Sequence, residues 1–339
     1  MTEAAFPLFG TAFVMLVVLP AYALLAKGIL WILERRESGG ALRRLNSRYL
    51  VLIGSSAVPL VWFLSAGLHQ AESGSVVACL FDHKAAALCF EPGFFAVTLS
   101  VLLIGLSVKS VRATKGPQLA GSARARGLAQ RAEEIIAAHE SLCDLAGRIA
   151  VTDDPGFALG TLGTFRPKVV LGLSYAEALH DEALASALGH EAEHVRALDP
   201  LRYLVLSIAL AVNPFGRWLL QPHAGRWLAA REAHCDREAV IRGAAPLSLA
   251  EALVQAARPT RPEAVALGAR DTTVLKLRIG LLFAFAEKRP VPCCGRGLSA
   301  VSTAFLLLVI VSFLPHHTGT EALDAIHAGA EHAFTYFWR

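Results

Sequence analysis

Residues 184–200 read LASALGHEAEHVRALDP, and this stretch decides how the rest of the chain is interpreted. Two histidines, His190 and His194, are four positions apart. On a helix, positions i and i+4 lie on the same face, so both imidazole rings can reach one metal ion. Glu191 lies beside them and can accept a proton from a water molecule held by that ion. An ordinary polar helix face would give the same letters, so the remaining sequence must decide between the two interpretations.

Apolar residues dominate the composition of the 339-residue chain, since 54% are hydrophobic and only 18% are charged. Soluble globular proteins carry about 25% charged residues. The apolar residues collect in four blocks, at 6–33, 49–68, 93–111 and 298–314. Crossing a bilayer takes about 20 apolar residues, so these blocks predict a multi-pass α-helical membrane protein.

Basic residues in the loops predict the orientation of this membrane protein. The loop 34–48 contains five arginines, whereas the loop 69–92 contains a single lysine. Basic loops favour the cytoplasmic side of the membrane. We therefore expect the N-terminus and the tail 315–339 to lie outside the cell, and the segment 112–297 to form a cytoplasmic domain. The sequence thus predicts that the protein lies in a lipid bilayer, namely the inner or cytoplasmic membrane of the cell.

The segment 112–297 has the pattern of a small α+β unit that contains the two histidines. Its predicted elements are a helix over 121–139, strands over 148–152 and 168–173 with a turn at 153–156, and a helix that Asp181 caps.

A catalytic metal site needs a third protein ligand and one open position. Glu232 and Asp236 are four residues apart in a helical stretch, and they therefore share a face. We expect Glu232 to be the third ligand and Asp236 to orient one of the histidines by a hydrogen bond. His223 and Glu238 are weaker alternatives for the third ligand.

The apolar run 201–220 lies between the two halves of this site. Asn213 and Pro214 interrupt it after about 12 residues, which is too short for a crossing. A full crossing would also separate Glu232 from the histidines by the thickness of a membrane. This membrane-associated segment is therefore predicted to be re-entrant or to lie at the interface.

Several motifs occur together around the histidines. They are HExxH followed five residues later by Asp199, the NPF sequence at 213–215, E-x-x-C-D at Glu232, Cys235 and Asp236, and GTFRPKVVL at 163–171. Together they resemble the BlaR/MecR-type family of integral membrane zinc metallopeptidases, the antirepressor peptidases. The resemblance covers most of the chain, and the combined motifs are far more specific than HExxH alone.

The resemblance implies a fold, a cofactor and a function. It implies a cytoplasmic α+β zincin domain of the gluzincin type, with Zn²⁺ bound by His190, His194 and Glu232 and with Glu191 as the catalytic base. Asp199 and Asp236 are expected to support the ligands without binding the metal. The substrate would be a cytoplasmic protein, such as a winged-helix transcriptional repressor that is inactivated by cleavage in a signalling pathway. Direct binding to nucleic acid is not expected, and the oligomeric state stays open.

The chain departs from the family in two respects. Family members that sense β-lactams carry an outer penicillin-binding domain after the last span, whereas only about 25 residues follow the apolar block that ends at residue 314. Direct acylation by a β-lactam is therefore not expected. His234 also replaces the small residue that is usual in E-x-x-C-D.

The strand before the histidine helix is expected to bind the substrate. An exposed strand edge can pair with an extended peptide, and the residues predicted to do so are Phe165, Arg166, Pro167, Lys168, Val169 and Val170. Two alternatives to a signalling peptidase remain open. One is a membrane quality-control protease of the HtpX/Ste24 type, and the other is a non-catalytic membrane signalling or binding protein, which the intact HExxH and Glu232 disfavour.

Overall fold

The computed structural model describes residues 14–35, 45–72, 104, 117–213, 215–258 and 272–289. The α-helices are α1 (Leu19–Arg35), α2 (Leu45–Glu72), α3 (Ala123–Ala138), α4 (Leu173–Glu177), α5 (Asp181–Arg196), α6 (Asp199–Val212), α7 (Gly216–Ile241), α8 (Pro246–Ala257) and α9 (Thr272–Ala286). The strands are β1 (Ile149–Thr152), β2 (Leu159–Leu162) and β3 (Lys168–Gly172). A π-helical turn, Val14–Val18, precedes α1, and a 3-10 helix, Glu140–Leu145, follows α3.

The three strands form one small sheet in the order β1-β3-β2. β1 is parallel to β3, and β2 is antiparallel to it. Gly172 ends β3 where another part of the backbone comes close, because a Cβ there would lie 1.8 Å from the carbonyl oxygen of Phe157. The predicted strands 148–152 and 168–173 are confirmed, whereas the four residues of β2 were not predicted.

The helix α5 forms the centre of the main core. Twelve of its 16 residues are buried, and Leu184 and Leu188 are fully enclosed. Burying a leucine side chain stabilises a fold by about 1.5–3 kcal/mol. The cap differs from the prediction: the ring of His180 accepts a hydrogen bond from the backbone N–H of Ala183, and Asp181 is the first helical residue.

The helices α6 and α7 form a hairpin that packs against α1 and α2. The chain turns after Asn213, whose side chain donates a hydrogen bond of 2.7 Å to the carbonyl oxygen of Leu19. Further along α7, the indole N–H of Trp227 donates to the carbonyl oxygen of Leu45 at 3.0 Å. Because α7 runs back along α6, its C-terminal half returns to the histidines of α5. Pro214 itself lies outside the described residues.

The prediction of a multi-pass membrane protein is wrong. The described residues form a mostly helical structure with a small three-stranded sheet. Within them, a single helix, Leu16–Arg35, is long and apolar enough to cross a membrane. The predicted span 49–68 falls in α2, where Val51 and Leu52 are completely buried in a core that α1, α6 and α7 share. These two residues therefore fill a protein interior.

Other parts of the membrane prediction depend on the same four predicted crossings. The blocks 93–111, apart from residue 104, and 298–314 lie outside the described residues, as does the tail 315–339. The assignment of inside and outside was based on the basic residues in the loops between four crossings, so it falls with the multi-pass prediction. One candidate membrane helix near the N-terminus remains.

Candidate metal centre

Three side chains that the sequence predicts as ligands come together between α5 and α7. The Nε2 atoms of His190 and His194 are 3.1 Å apart. One carboxylate oxygen of Glu232, Oε2, lies 3.4 Å from Nε2 of His190, and the other, Oε1, lies 3.5 Å from Nε2 of His194. The spacing of four residues along α5 gives the two rings their common face, and the return of α7 adds the carboxylate.

These separations match what a small metal ion requires. Zinc–nitrogen and zinc–oxygen bonds of about 2.0–2.1 Å place tetrahedral donor atoms about 3.3–3.4 Å apart. The Nδ1 atom of each ring faces a carboxylate at 2.7–2.8 Å, so the Nε2 atoms of the neutral rings carry lone pairs. Two such acceptors 3.1 Å apart repel each other unless a proton or a cation lies between them. The three side chains could therefore hold a divalent cation.

His190 is oriented from behind by residues of two helices. Its Nδ1 lies 2.8 Å from Oδ1 of Asp236 on α7. The guanidinium of Arg278, on α9, grips both oxygens of that carboxylate, with Nε at 2.6 Å and Nη2 at 2.7 Å. Nη1 of Arg278 also forms an ion pair with Oε2 of Glu232 at 3.0 Å. Asp236 thus lies where the sequence predicts a supporting carboxylate.

His194 has a similar arrangement behind it, built from different residues. Its Nδ1 lies 2.7 Å from Oδ2 of Asp199, the first residue of α6. Arg231, on α7, donates from Nε to the same oxygen at 2.7 Å and reaches the backbone carbonyl of Glu193 at 3.4 Å. The buried thiol of Cys235 lies 3.7 Å from Nδ1 of His194. Asp199 thus contacts the ring of His194, as the predicted supporting carboxylate would.

The acidic groups of the centre are held in their charged form. Burial alone would raise the pKa of Glu232, but His194 and Arg278 outweigh it and hold that pKa well below its usual value. Burial opposes ionisation of Asp236 too, yet Arg278 and His190 lower its pKa to about 2. Burial by itself lowers the pKa of His190, while Asp236 and Glu232 raise it above its usual value overall. The cluster attracts positive charge.

The cluster carries more negative than positive charge when its imidazoles are neutral. Its carboxylates are those of Glu191, Asp199, Glu232 and Asp236, and its guanidiniums are those of Arg231, Arg278 and Arg202, the last 3.8 Å from Asp199. Four negative charges then face three positive ones. Buried charges require compensation, which a cation at the three donors or a proton on an imidazole would supply.

Glu191 is held by the sheet. It is 6% exposed, and its Oε2 accepts a hydrogen bond of 2.6 Å from the hydroxyl of Thr161 in β2. Its other carboxylate oxygen makes no bond to Thr161. The predicted base therefore lies on the same helix as the two histidines, with one oxygen fixed in place.

The strand predicted to bind substrate is the central one. Lys168, Val169 and Val170 belong to β3, which pairs with β1 on one side and β2 on the other. It therefore has no free edge for a peptide, contrary to our expectation. Phe165, Arg166 and Pro167 precede β3. Within the described part of the sheet, the free edge next to Glu191 belongs to β2.

The alternative third ligands point elsewhere. Nδ1 of His223 lies 3.0 Å from Glu34 on α1. Glu238 pairs with its neighbour Arg237 and lies 3.9 Å from His234. Both are thus engaged away from the two histidines.

Three residues of the centre, Arg231, Arg278 and Thr161, were not predicted from the sequence. Arg278 had a weak signal, since it is one of two basic residues in the otherwise apolar helix α9, and such a cation needs a buried partner. Thr161 had none, because a single threonine in a glycine-rich stretch carries no pattern.

A tyrosine close to His194 has an unsatisfied hydroxyl. The ring centroid of Tyr203, on α6, lies 6.4 Å from that of His194. Among the described residues its buried hydroxyl has no hydrogen-bond partner, and Oδ1 of Asp199 has only an ion pair with Arg202 at 3.8 Å. These two atoms lie on the side of the centre that Asp199 supports.

Comparison with known proteins adds no identification. No family model, no curated protein and no solved structure matches the chain. The resemblance to the antirepressor peptidases therefore rests on the sequence motifs alone and stays a prediction.

Proposed function

We propose that this chain is a metal-dependent endopeptidase and that its metal is zinc. The observation that carries the proposal is the set of three donor groups, His190, His194 and Glu232, at mutual distances of 3.1–3.5 Å. Zn²⁺ held by them would polarise a peptide carbonyl and lower the pKa of a water molecule.

Glu191 would act as the general base. Thr161 occupies one oxygen of its carboxylate, which leaves the other oxygen to accept a proton from the attacking water. The same carboxylate can then pass the proton to the nitrogen of the scissile bond, because an amine leaves readily only when it is protonated. Burial of Glu191 keeps this proton away from bulk water.

The strand β2 would position the substrate. An extended peptide that adds to the free edge of β2 would form backbone hydrogen bonds with it. Because the side chain of Thr161 in β2 reaches Glu191, a peptide bound along this edge would lie close to the base. Backbone pairing suits a peptidase that cleaves unfolded or extended segments of a protein.

The test compares two matched substitutions in α5. Glu191→Gln keeps the shape of the side chain but cannot accept the proton, so cleavage of β-casein should fall by about 10²- to 10⁴-fold while zinc content is unchanged. Glu193→Gln is the control, since Glu193 lies on the same helix but pairs with Arg196 and Arg242. Cleavage by fully metallated Glu191→Gln at the rate of the control would rule out the mechanism.

The substrate class is proposed from the motif resemblance. A winged-helix repressor cleaved in a signalling pathway would appear as one dominant new cleavage product in cells with the wild-type chain, absent from cells with Glu191→Gln. A quality-control protease would instead produce many products from unrelated membrane proteins. Mapping of new protein N-termini in the two cell lines distinguishes these outcomes.

We also propose that α1 attaches the protein to a membrane. Its apolar window has a mean hydropathy of 2.1 and only 28% of it is buried, whereas a core helix would be mostly enclosed. Leu24 and Leu25 are more than half exposed. Changing both to glutamate should move the protein from the membrane pellet to the supernatant, and Leu247→Glu, at an exposed position of α8, should not. Equal pelleting of all three proteins would refute this attachment.

A further inference from the structure

The guanidinium of Arg278 divides its donors among three groups of the candidate centre. Nε and Nη2 bind the carboxylate of Asp236, and Nη1 binds Oε2 of Glu232 at 3.0 Å. The side chain is only 12% exposed, so water competes little for these bonds. Arg278 is thus the described residue of α9 that reaches the ligands.

Nη2 of Arg278 does not block Nε2 of His190, the nitrogen proposed to bind the metal. It lies 3.5 Å from Nδ1 and 3.4 Å from Nε2 of that ring. A nitrogen almost equidistant from both ring nitrogens lies over the ring and not along either lone pair. The lone pair on Nε2 therefore stays directed towards His194 and Glu232.

The contact with Glu232 makes its two carboxylate oxygens unequal. Without Arg278 both oxygens are comparably placed, since each lies 3.4–3.5 Å from one histidine nitrogen, and a carboxylate placed in this way can bind a metal through both oxygens. Nη1 of the guanidinium forms an ion pair with Oε2 at 3.0 Å and draws electron density from that oxygen, whereas Oε1 has no ion pair with Arg278. Glu232 is thereby biased to act as a ligand through one oxygen.

We propose that Arg278 is a positioning residue that keeps Glu232 a one-oxygen ligand and so keeps one coordination position of the metal open. The inference rests on the proposed function, because it concerns the same metal centre. A catalytic zinc site needs an open position for water and substrate, whereas a site saturated by protein ligands is structural. Arg278 would therefore determine whether the metal is reactive, without itself contacting substrate.

The test replaces Arg278 in the full-length chain and uses Co²⁺ as a visible probe of the metal. Acetohydroxamate binds an open coordination position, and its binding shifts the absorption bands of Co²⁺. In Arg278→Met the second oxygen of Glu232 is free to bind the metal and to compete with acetohydroxamate, so acetohydroxamate affinity should fall by about 10-fold or more, on the order of the effect that outer groups have on the function of metal sites. Co²⁺ itself should be held at least as tightly as in the wild type.

Two further variants keep the test decisive. Arg278→Lys retains a charge near Glu232 but cannot grip Asp236 with a fork, so its acetohydroxamate affinity should fall between wild type and Arg278→Met. If Arg278→Met does not fold, as judged by circular dichroism, the lysine variant alone decides by whether its affinity is reduced. Arg242→Met, which removes a half-exposed arginine paired with Glu193, should bind acetohydroxamate as the wild type does.

The outcomes separate this inference from the proposed function. Wild-type acetohydroxamate affinity in Arg278→Met, or loss of Co²⁺ from a folded Arg278→Met, would overturn the role of Arg278 and leave the metal site standing. A wild-type chain that binds no Co²⁺ would overturn the proposed function and this inference together.

Discussion

The two histidines of the candidate centre are supported by the same chemistry from different parts of the chain. Nδ1 of His194 contacts Asp199 at 2.7 Å and Nδ1 of His190 contacts Asp236 at 2.8 Å. Each aspartate is in turn bound by an arginine. Arg231 reaches one oxygen of Asp199 and a backbone carbonyl, whereas Arg278 grips both oxygens of Asp236 and continues to Glu232.

The two arginines differ in the acidic partner that remains to each of them when the aspartate is removed. The His194 arm, formed by His194, Asp199 and Arg231, lies within the contiguous core of α5, α6 and α7. The His190 arm, formed by His190, Asp236 and Arg278, depends on the distant helix α9 and has Glu232 as a second acidic partner. We therefore expect the His194 arm to contribute more to folding, and the two arms to contribute equally to metal binding.

The largest expected effect is a loss of stability in Asp199→Ala. This change leaves Arg231, with a side chain 6% exposed, as an unpaired buried charge, which costs about 3–5 kcal/mol. In Asp236→Ala, Arg278 keeps its ion pair with Glu232, so we expect a smaller loss of about 1.5–3 kcal/mol, the range for hydrogen bonds to charged groups. Urea unfolding with a chelator present measures both, and equal losses would contradict the difference between the arms.

Metal affinity should respond to both arms alike. Asp199→Asn and Asp236→Asn each replace a carboxylate that orients a histidine ligand, and such changes typically weaken metal binding by about 10- to 100-fold. Zinc affinity is measured by competition with a coloured chelator at neutral pH. If only one of the two substitutions weakened binding, the other histidine would not be a ligand, and the symmetry of the centre would be broken.

The smallest expected effect concerns the unsatisfied hydroxyl beside His194. Tyr203→Phe removes a buried hydroxyl that has no hydrogen-bond partner in the described part of the chain, so the free energy of unfolding should rise by about 1 kcal/mol. Tyr49→Phe is the matched control, because its hydroxyl donates to the carbonyl oxygen of Arg202 at 3.2 Å and its loss should destabilise by about 1 kcal/mol. Destabilisation by Tyr203→Phe would indicate that the hydroxyl has a partner, such as a buried water molecule.

Local spacing was sufficient to predict most of the centre. His190 and His194 share a helix face because they are four residues apart, and so do Glu232 and Asp236. The two pairs can meet only if the chain turns back between them, and it does so after Asn213. Arg278 could not be predicted in this way, because its position depends on how α9 packs against α7, and no local pattern contains that information.

The membrane prediction failed because composition does not distinguish lipid from protein as an apolar environment. The apolar residues of α2 would suit a bilayer or a protein core equally well. Only the packing of Val51 and Leu52 against α1, α6 and α7 shows that these two residues face protein. The strand β2 was missed for a different reason. It has four residues, one of them a glycine, with a second glycine directly after it, and so it lacks the alternation that marks a strand.

The length of α7 has a mechanical consequence. It is one helix of 26 residues, about 39 Å long, and α1 and α2 hold it through the contacts of His223 with Glu34 and of Trp227 with Leu45. If α7 pivots at Trp227, Glu232 lies about 7.5 Å beyond the pivot along the helix axis. A rotation of about 10° would then move Glu232 by about 1.3 Å, and a misplacement of about 1 Å can slow an enzyme about 100-fold. A force that tilts α1 would therefore reach the third donor of the centre through the part of α7 that follows Pro222.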